Sequence, residues 1–229
     1  MSRTPVLSII VPVYNQFEYT QMLLTDLHKV TTPFELIIID NASEDKTETF
    51  FTNRVPYYDY LVDYKYLRQD RNIYVNPAWN LWVSQASWEY IMIINNDITI
   101  DAVWFEKPLI NALFDNVMIS SPLYTVWEDT ISNDKIWYQN NRYNPNNICG
   151  HCFVMRKEHY PVIPESLRIW FWDNFIYETM KKRGMIQVVC PDSTIHHFES
   201  KTVKNSNIDA VIATDKAHWF MDIAKQFTQ

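Results

Sequence analysis

Asn95-Asn96-Asp97 closes a wholly apolar run, Tyr90 to Ile94, with two amides and a carboxylate. A short apolar run punctuated in this way predicts a strand buried on both faces of a parallel sheet. Ligands of open α/β sheets lie beyond the carboxyl ends of such strands. Asp97 is therefore placed where a ligand-bound cation would sit. A Mg²⁺-like ion takes one or two protein carboxylates and completes its shell with phosphate oxygens and water. The same residues also spell a polar turn with Asp101 as the N-cap of a following helix. Taken alone, the stretch leaves both readings standing.

Glycine usage narrows the chemistry. The chain has two glycines, Gly150 and Gly184, where average usage predicts about sixteen. That excludes a G-x-G-x-x-G dinucleotide loop and a Walker A loop. A bound diphosphate would have to be neutralised by a metal ion or by basic side chains. Gly150 marks either a close backbone approach to a ligand or a turn with positive φ. It sits in Cys149-Gly150-His151-Cys152, which has the spacing of a dithiol redox motif. Such a motif works at a helix N-terminus, where the dipole lowers the thiol pKa, whereas Phe153 to Met155 predicts a strand. A zinc site lacks its second ligand pair. A CxxC oxidoreductase is thus the minor alternative.

The bulk properties set the frame. At 229 residues and 47% hydrophobic content the chain fits one α/β domain with a sizeable core. A net charge of −7 argues against a nucleic-acid partner, which would call for a basic face. Three cysteines are too few for a disulfide framework. No signal peptide is visible, and no apolar run reaches the ~20 residues of a membrane helix. A cytoplasmic setting is expected, without an integral membrane segment. Peripheral association with a membrane is compatible with the sequence.

The elements that would position these residues alternate. Val6 to Val13, Phe34 to Ile39, Leu61 to Leu67 and Tyr90 to Ile94 read as strands. Between them lie a helix capped by Asn15, a short one capped by Ser43, and one opened by Asn76-Pro77. The pattern predicts a mostly parallel sheet flanked by helices. Further on, a helix is expected from Asp101 to about Phe114 and a short strand near Val117 to Ser120. Residues 124–147 read as a long loop, and Phe153 to Met155 as a strand. Trp172 to Arg183 reads as a helix stopped by Gly184. Strand-like Ile186 to Cys190 and Ile195 to His197 precede a last helix from about Asp209 to Phe227.

The order of motifs resembles a known family: Pro12-Val13-Tyr14-Asn15 after the first strand, Asp40-Asn41-Ala42-Ser43 after the second, Asn72, Ala78 and Asn80 around the third helix, and Asn95-x-Asp97 after the opening strand. It is similar to the family 2 glycosyltransferases of GT-A fold, especially the branch that includes rhamnosyltransferases. Residues 6–101 carry the closest match. The second half is similar through Gly150 to Arg156, Trp172-Asp173 before a helix, and the pair His196-His197. The chain departs from the pattern in three places: D-x-D is reduced to Asn95-Asn96-Asp97, glycines are missing beside Asn72 and Asn80, and Trp172 replaces the first acid of the late pair.

The resemblance implies a single GT-A domain over 1–229, with a nucleotide-binding half over about 1–101 and an acceptor-binding half over about 102–229. It implies a nucleotide contacted by Pro12, Tyr14, Asn15, Asp40, Asn72, Asn95 and Asn96. It implies Mn²⁺ or Mg²⁺ on Asp97, with a histidine as second ligand. Family analogy favours His196, although His196 and His197 face opposite ways on a strand and only one can point at the site. Asp173 is the candidate general base for an acceptor hydroxyl, or simply an N-cap. Gly150, His151 and Trp172 are the expected acceptor or sugar contacts, while Arg156 is either a surface charge or a phosphate partner. The implied function is inverting transfer of a sugar from a UDP-, dTDP- or GDP-sugar to a hydroxyl of a saccharide or glycan. The alternatives are a non-catalytic nucleotide-sugar-binding protein and a nucleotidyltransferase that makes the activated sugar.

Overall fold

The computed structural model describes residues 7–126, 150–198 and 208–227. The first four strands are β1 (Leu7–Val13), β2 (Phe34–Asp40), β3 (Leu61–Arg68) and β4 (Tyr90–Ile94). Between them run α1 (Phe17–Asp26), α2 (Thr47–Asn53) and α3 (Val75–Gln85). β1, β2 and β4 are dominated by Ile, Leu and Val, branched residues that pack well on a pleated surface. They are apolar on both faces because both faces are covered. Ile9, Val11 and Val13 join one core cluster with Leu23 of α1. Ile10 joins the opposite cluster with Trp79 and Trp82 of α3. β1 pairs in parallel with β2 and β4, and β2 with β3. The register brings Val13 level with Asp40, and Asp40 level with Arg68.

The second half comprises β5 (Ile98–Ile100), α4 (Glu106–Asn111), β6 (Val117–Val126), β7 (Cys152–Arg156), α5 (Trp172–Lys182), β8 (Ile186–His197) and α6 (Asp209–His218). One sheet results, in the order β3-β2-β1-β4-β7-β6-β8-β5. β7 inserts antiparallel to both β4 and β6, β8 runs parallel to β6, and β5 is antiparallel to β8. Parallel pairing therefore joins the first four strands and also β6 to β8, and the sheet as a whole is mixed.

Long-range pairing accounts for the differences from sequence expectation. Ile98–Ile100 pairs with β8, and the Ile100 amide donates to the Asp26 carboxylate at 2.7 Å. The next helix accordingly begins at Glu106, not at Asp101. β6 extends to Val126 because it pairs with β8 along its length, with Pro191 to Ser193 bulged out of register. The expected loop thus loses its first residues to a strand, and 127–149 lie outside the described residues. α5 ends as expected, with Gly184 at φ 66°. α6 continues through a π turn (Trp219–Ile223) into a 3₁₀ turn ending at Phe227. Among the described residues no helix is long and apolar enough to cross a membrane.

Three fully buried acids brace this framework. Glu35 accepts from the Ser8 hydroxyl, the Ser87 amide and Lys65. Glu106 accepts from the amides of Thr31 and Thr32. Asp215 of α6 accepts from the amides of Arg168, Ile169 and Trp170, which fixes the approach to α5. Hydrogen bonds to a charged group contribute about 1.5–3 kcal/mol each.

Candidate active site

Asp97 follows β4, where the chain bends back into β5. It is 4% exposed. Its Oδ1 faces His197 Nε2 at 3.4 Å, and its carbonyl accepts from the Phe198 amide at 3.0 Å. The β5–β8 register sets His197 opposite Ile98 and His196 opposite Thr99. His196 consequently turns to the other face and meets Asp101 Oδ1 at 2.7 Å. The expectation that His196 stands beside Asp97 is corrected: one step along the strand reverses the side chain, and His197 is the residue that arrives. Asp101, read as a helix cap, is instead the partner of His196.

His151 completes the cluster. Its ring stacks on His197 with centroids 4.0 Å apart and planes 12° from parallel. Its carbonyl accepts from the Asn95 amide at 2.8 Å, so the turn carrying His151 is tied to the strand end. Burial, reinforced by the neighbouring His197, pushes the His151 pKa down to about 3 against the pull of Asp97, so this imidazole is neutral at physiological pH. Burial raises the Asp97 carboxyl, but the adjacent His197, with His151 beside it, outweighs burial, and its pKa lies below the ordinary carboxylate value.

Asp97 Oδ1 and His197 Nε2 are both buried without a conventional hydrogen bond, although such atoms ordinarily find partners. A carboxylate oxygen and an imidazole nitrogen 3.4 Å apart suit a shared divalent ion. Among the described residues no three His, Cys, Asp or Glu side chains converge as a protein cage would require. An ion held here would complete its shell with phosphate oxygens and water, the usual habit of Mg²⁺. The two residues fit the implied metal.

The other expected residues divide. Pro12 is buried in β1, Tyr14 is half-buried just beyond it, and Asn15 has φ 56°. The Asn15 side chain accepts from the Glu44 amide and its amide donates to Ser43 Oγ. Asn15 and Ser43 thus tie two loops together instead of capping their own helices. Asn96 donates to Thr20 Oγ1 at 2.9 Å and bolts the strand end to α1. Asp40 is fully buried and accepts from the Ser43 amide, the Tyr66 hydroxyl and Arg68 Nη1. The group that this strand end presents to solvent is the partly exposed Arg68 guanidinium. Tyr66 and Arg68 escaped sequence reading, though their spacing of two on β3 places them on one face. Asn72 accepts from the Tyr74 amide and lines a cleft beside α3.

Gly150 approaches a side chain. A Cβ built there would lie 2.5 Å from Trp172 Cζ2. Trp172 is a core residue, 4.6 Å from the Trp79 ring and stacked on Phe153. The first turn of α5 is thereby held against the turn that carries His151. Asp173 follows on that turn, exposed. The surrounding wall partly desolvates its carboxyl and raises the pKa even though the side chain reaches solvent, and the Asn174 amide and its own amide oppose the shift. Phe171, just before, is held at φ 62°.

Arg156 pairs with Glu89 and lies over the Tyr90 ring. Tyr90 starts the strand that Asp97 follows, so Arg156 is at the opposite end of the sheet and is a structural clamp. Cys152 is buried at the start of β7, without the helix N-terminus that a redox pair needs. Cys149 lies outside the described residues. Burial pushes the Cys190 thiol up to about 11.

Comparison with known proteins gives the family and the fold. The model of the family "Glycosyl transferase family 2" matches residues 8–163. The chain is 28% identical over 116 residues to a chondroitin synthase of Pasteurella multocida, covering 49% of this chain and 12% of that protein. It is 28% identical over 109 residues to the glycosyltransferase AglE of Haloferax volcanii, covering 46% and 35%. It thus spans about a third or less of these relatives' length. Among solved structures, a mannosyltransferase of Pyrobaculum calidifontis in complex with GDP-Man and Mn²⁺ superposes with a TM-score of 0.67 at 16% identity, covering 100% of this chain and 66% of that one. That likeness shows the fold, GT-A.

Proposed function

The chain belongs to glycosyl transferase family 2, and from that premise we propose that it moves a sugar from a nucleotide-diphosphate donor to a hydroxyl of a saccharide acceptor. The observation that carries the proposal is the buried Asp97–His197 pair at the end of β4, whose facing oxygen and nitrogen lack hydrogen-bond partners. Asp97 and His197 would hold Mn²⁺ or Mg²⁺, and a metal of this kind supplies Lewis-acid stabilisation to a departing diphosphate. The fold neighbour solved with GDP-Man and Mn²⁺ supports that choice. The two-glycine composition does too, since no glycine loop is available to cradle phosphates.

Asp173 takes the proton of the acceptor hydroxyl. The acceptor oxygen forms its bond to the anomeric carbon as the bond to the diphosphate oxygen breaks. The electron pair leaves with the nucleotide diphosphate, and attack from the opposite face inverts the configuration. A base must be solvent-accessible before the acceptor arrives, which the exposure of Asp173 provides. Its raised pKa makes it a better proton acceptor than an ordinary aspartate. His151 and His197 shape the wall beside the departing group. Tyr14 and Arg68 border the strand ends where the nucleotide would lie.

A panel of UDP-, dTDP- and GDP-sugars, with and without Mn²⁺, tests the proposal. Metal-dependent release of nucleotide diphosphate is expected with at least one donor, and Asp97→Ala should abolish it. Binding of a donor with no release across the panel would sink the enzyme reading and leave a nucleotide-sugar-binding protein.

A further inference from the structure

A cleft of about 730 Å³ opens beside α3, within the range of small-ligand sites. It lies on the helix flank carrying Pro77 and the 41%-exposed Leu81, away from the buried Ala78, Trp79 and Trp82 that face the sheet. Arg71 and Arg168 both line it, from two different segments. Among the described residues neither guanidinium pairs with a carboxylate; Arg168 lies over the Tyr74 ring, 5.8 Å from its centroid. With two arginines and a single carboxylate, Glu165, lining it, the cleft is locally positive in a chain whose net charge is −7.

The walls are fixed in advance. Asn76 donates to the carbonyls of Arg168 and Leu167. Asp215 holds the Arg168 amide, and Asn72 holds Tyr74, whose φ of 67° is unusual for tyrosine. Tyr74, Pro77 and Leu81 offer an apolar surface suited to the C–H faces of a sugar ring, with the guanidinium groups beside it. Guanidinium binds carboxylate and phosphate alike through paired N–H donors.

We propose that this cleft is a binding site for an anionic saccharide, a chain bearing carboxylate or phosphate groups. Calling that saccharide the acceptor rests on the transferase reading above; the preference for anions rests on the cleft alone.

Calorimetric titration of the chain, without donor or metal, tests the inference with trigalacturonate, phosphorylated maltotriose and neutral maltotriose as probes. At least one anionic probe should bind about ten-fold more tightly than the neutral one, as expected of charge-assisted pairs, and the tighter arm identifies carboxylate or phosphate. Arg71→Gln combined with Arg168→Gln should erase the difference. Glu165→Gln removes the one carboxylate lining the cleft and should tighten anion binding. All three residues are exposed, so folding should be kept. Equal affinity for neutral and anionic probes would overturn the inference. Displacement of the anionic probe by UDP or GDP would overturn it too, by making the cleft the donor's phosphate site. Failure of donor turnover with anion binding intact would count against the transferase reading only.

Discussion

Gly150→Ala offers a sharp test of how the site is held. Gly150 does not have a positive φ, so alanine meets no backbone penalty and the effect is steric. The new methyl would sit 2.5 Å from Trp172 Cζ2 and 3.1 Å from Cη2, against an optimum of about 3.5–4.0 Å between carbons. About 1 Å of displacement is needed. Trp172 cannot supply it cheaply, because Trp79 and Phe153, 1% and 0% exposed, stand behind it. Overpacking of this kind costs about 1–3 kcal/mol, and for a chain of this size each kcal/mol lowers Tm by about 2–4 °C. Thermal unfolding should therefore fall by roughly 2–12 °C. The turn would also move His151 off His197, and a 1 Å misplacement can cost about 100-fold in turnover. Circular dichroism melts and donor turnover with Mn²⁺ measure both effects. Trp172→Leu should relieve the clash, so the double variant should be less destabilised than the sum of the singles. A Gly150→Ala protein within about 0.5 kcal/mol of the parent, strictly additive with Trp172→Leu, would refute the reasoning.

Three further outcomes are expected. His197→Ala should abolish Mn²⁺-dependent turnover and His196→Ala should leave most of it, with Mn²⁺ affinity by electron paramagnetic resonance as the check; the reverse pattern would sink the assignment of His197 as the ligand. Asp173→Asn should remove transfer to acceptor with donor affinity nearly unchanged, and in the parent the acid limb of the rate profile should lie above the ordinary aspartate pKa, since burial raises this carboxyl and only its deprotonated form accepts a proton. Near-normal transfer by Asp173→Asn would remove it from the mechanism. Glu35, held by Ser8, Ser87 and Lys65 strongly enough to outweigh its burial, has a lowered pKa; its stabilisation is present above the unfolded carboxyl value of about 4.3 and is lost as pH falls through the folded value. Glu35→Gln should lower stability at pH 7 by about 1–3 kcal/mol and flatten that acid dependence in urea titrations.

The parallel half of the fold was legible because its signals are local: apolar runs of strand length ending in Asp40 and Asn95-Asn96-Asp97, alternating with helix patterns. The second half was harder. β5 is three residues long and is a strand only because β8 lies beside it. Capping residues misled for a related reason. Asn15, Ser43 and Asp101 carry side chains that satisfy any partner within reach, and here the nearest one is on another loop or strand. At the site, Asp97 was readable from its place after a buried strand. The choice between His196 and His197 was not, since it depends on a register set by residues about a hundred positions away. Asp215 gave only a weak signal, one acid among several in a helical pattern, and its three backbone partners lie more than forty residues earlier.

The insertion of β7 bears on how the chain is made. β4 is complete at Ile94, yet the strand that covers its far side ends at Arg156. During synthesis at about 5–20 residues per second, a row of unpaired amides and carbonyls flanked by Ile91, Met92, Ile93 and Ile94 stays uncovered for roughly 3–12 s. Edges of that kind recruit other chains. Nascent or truncated forms that stop short of residue 152 should therefore be the ones that depend on chaperones, and that form inclusion bodies on overexpression.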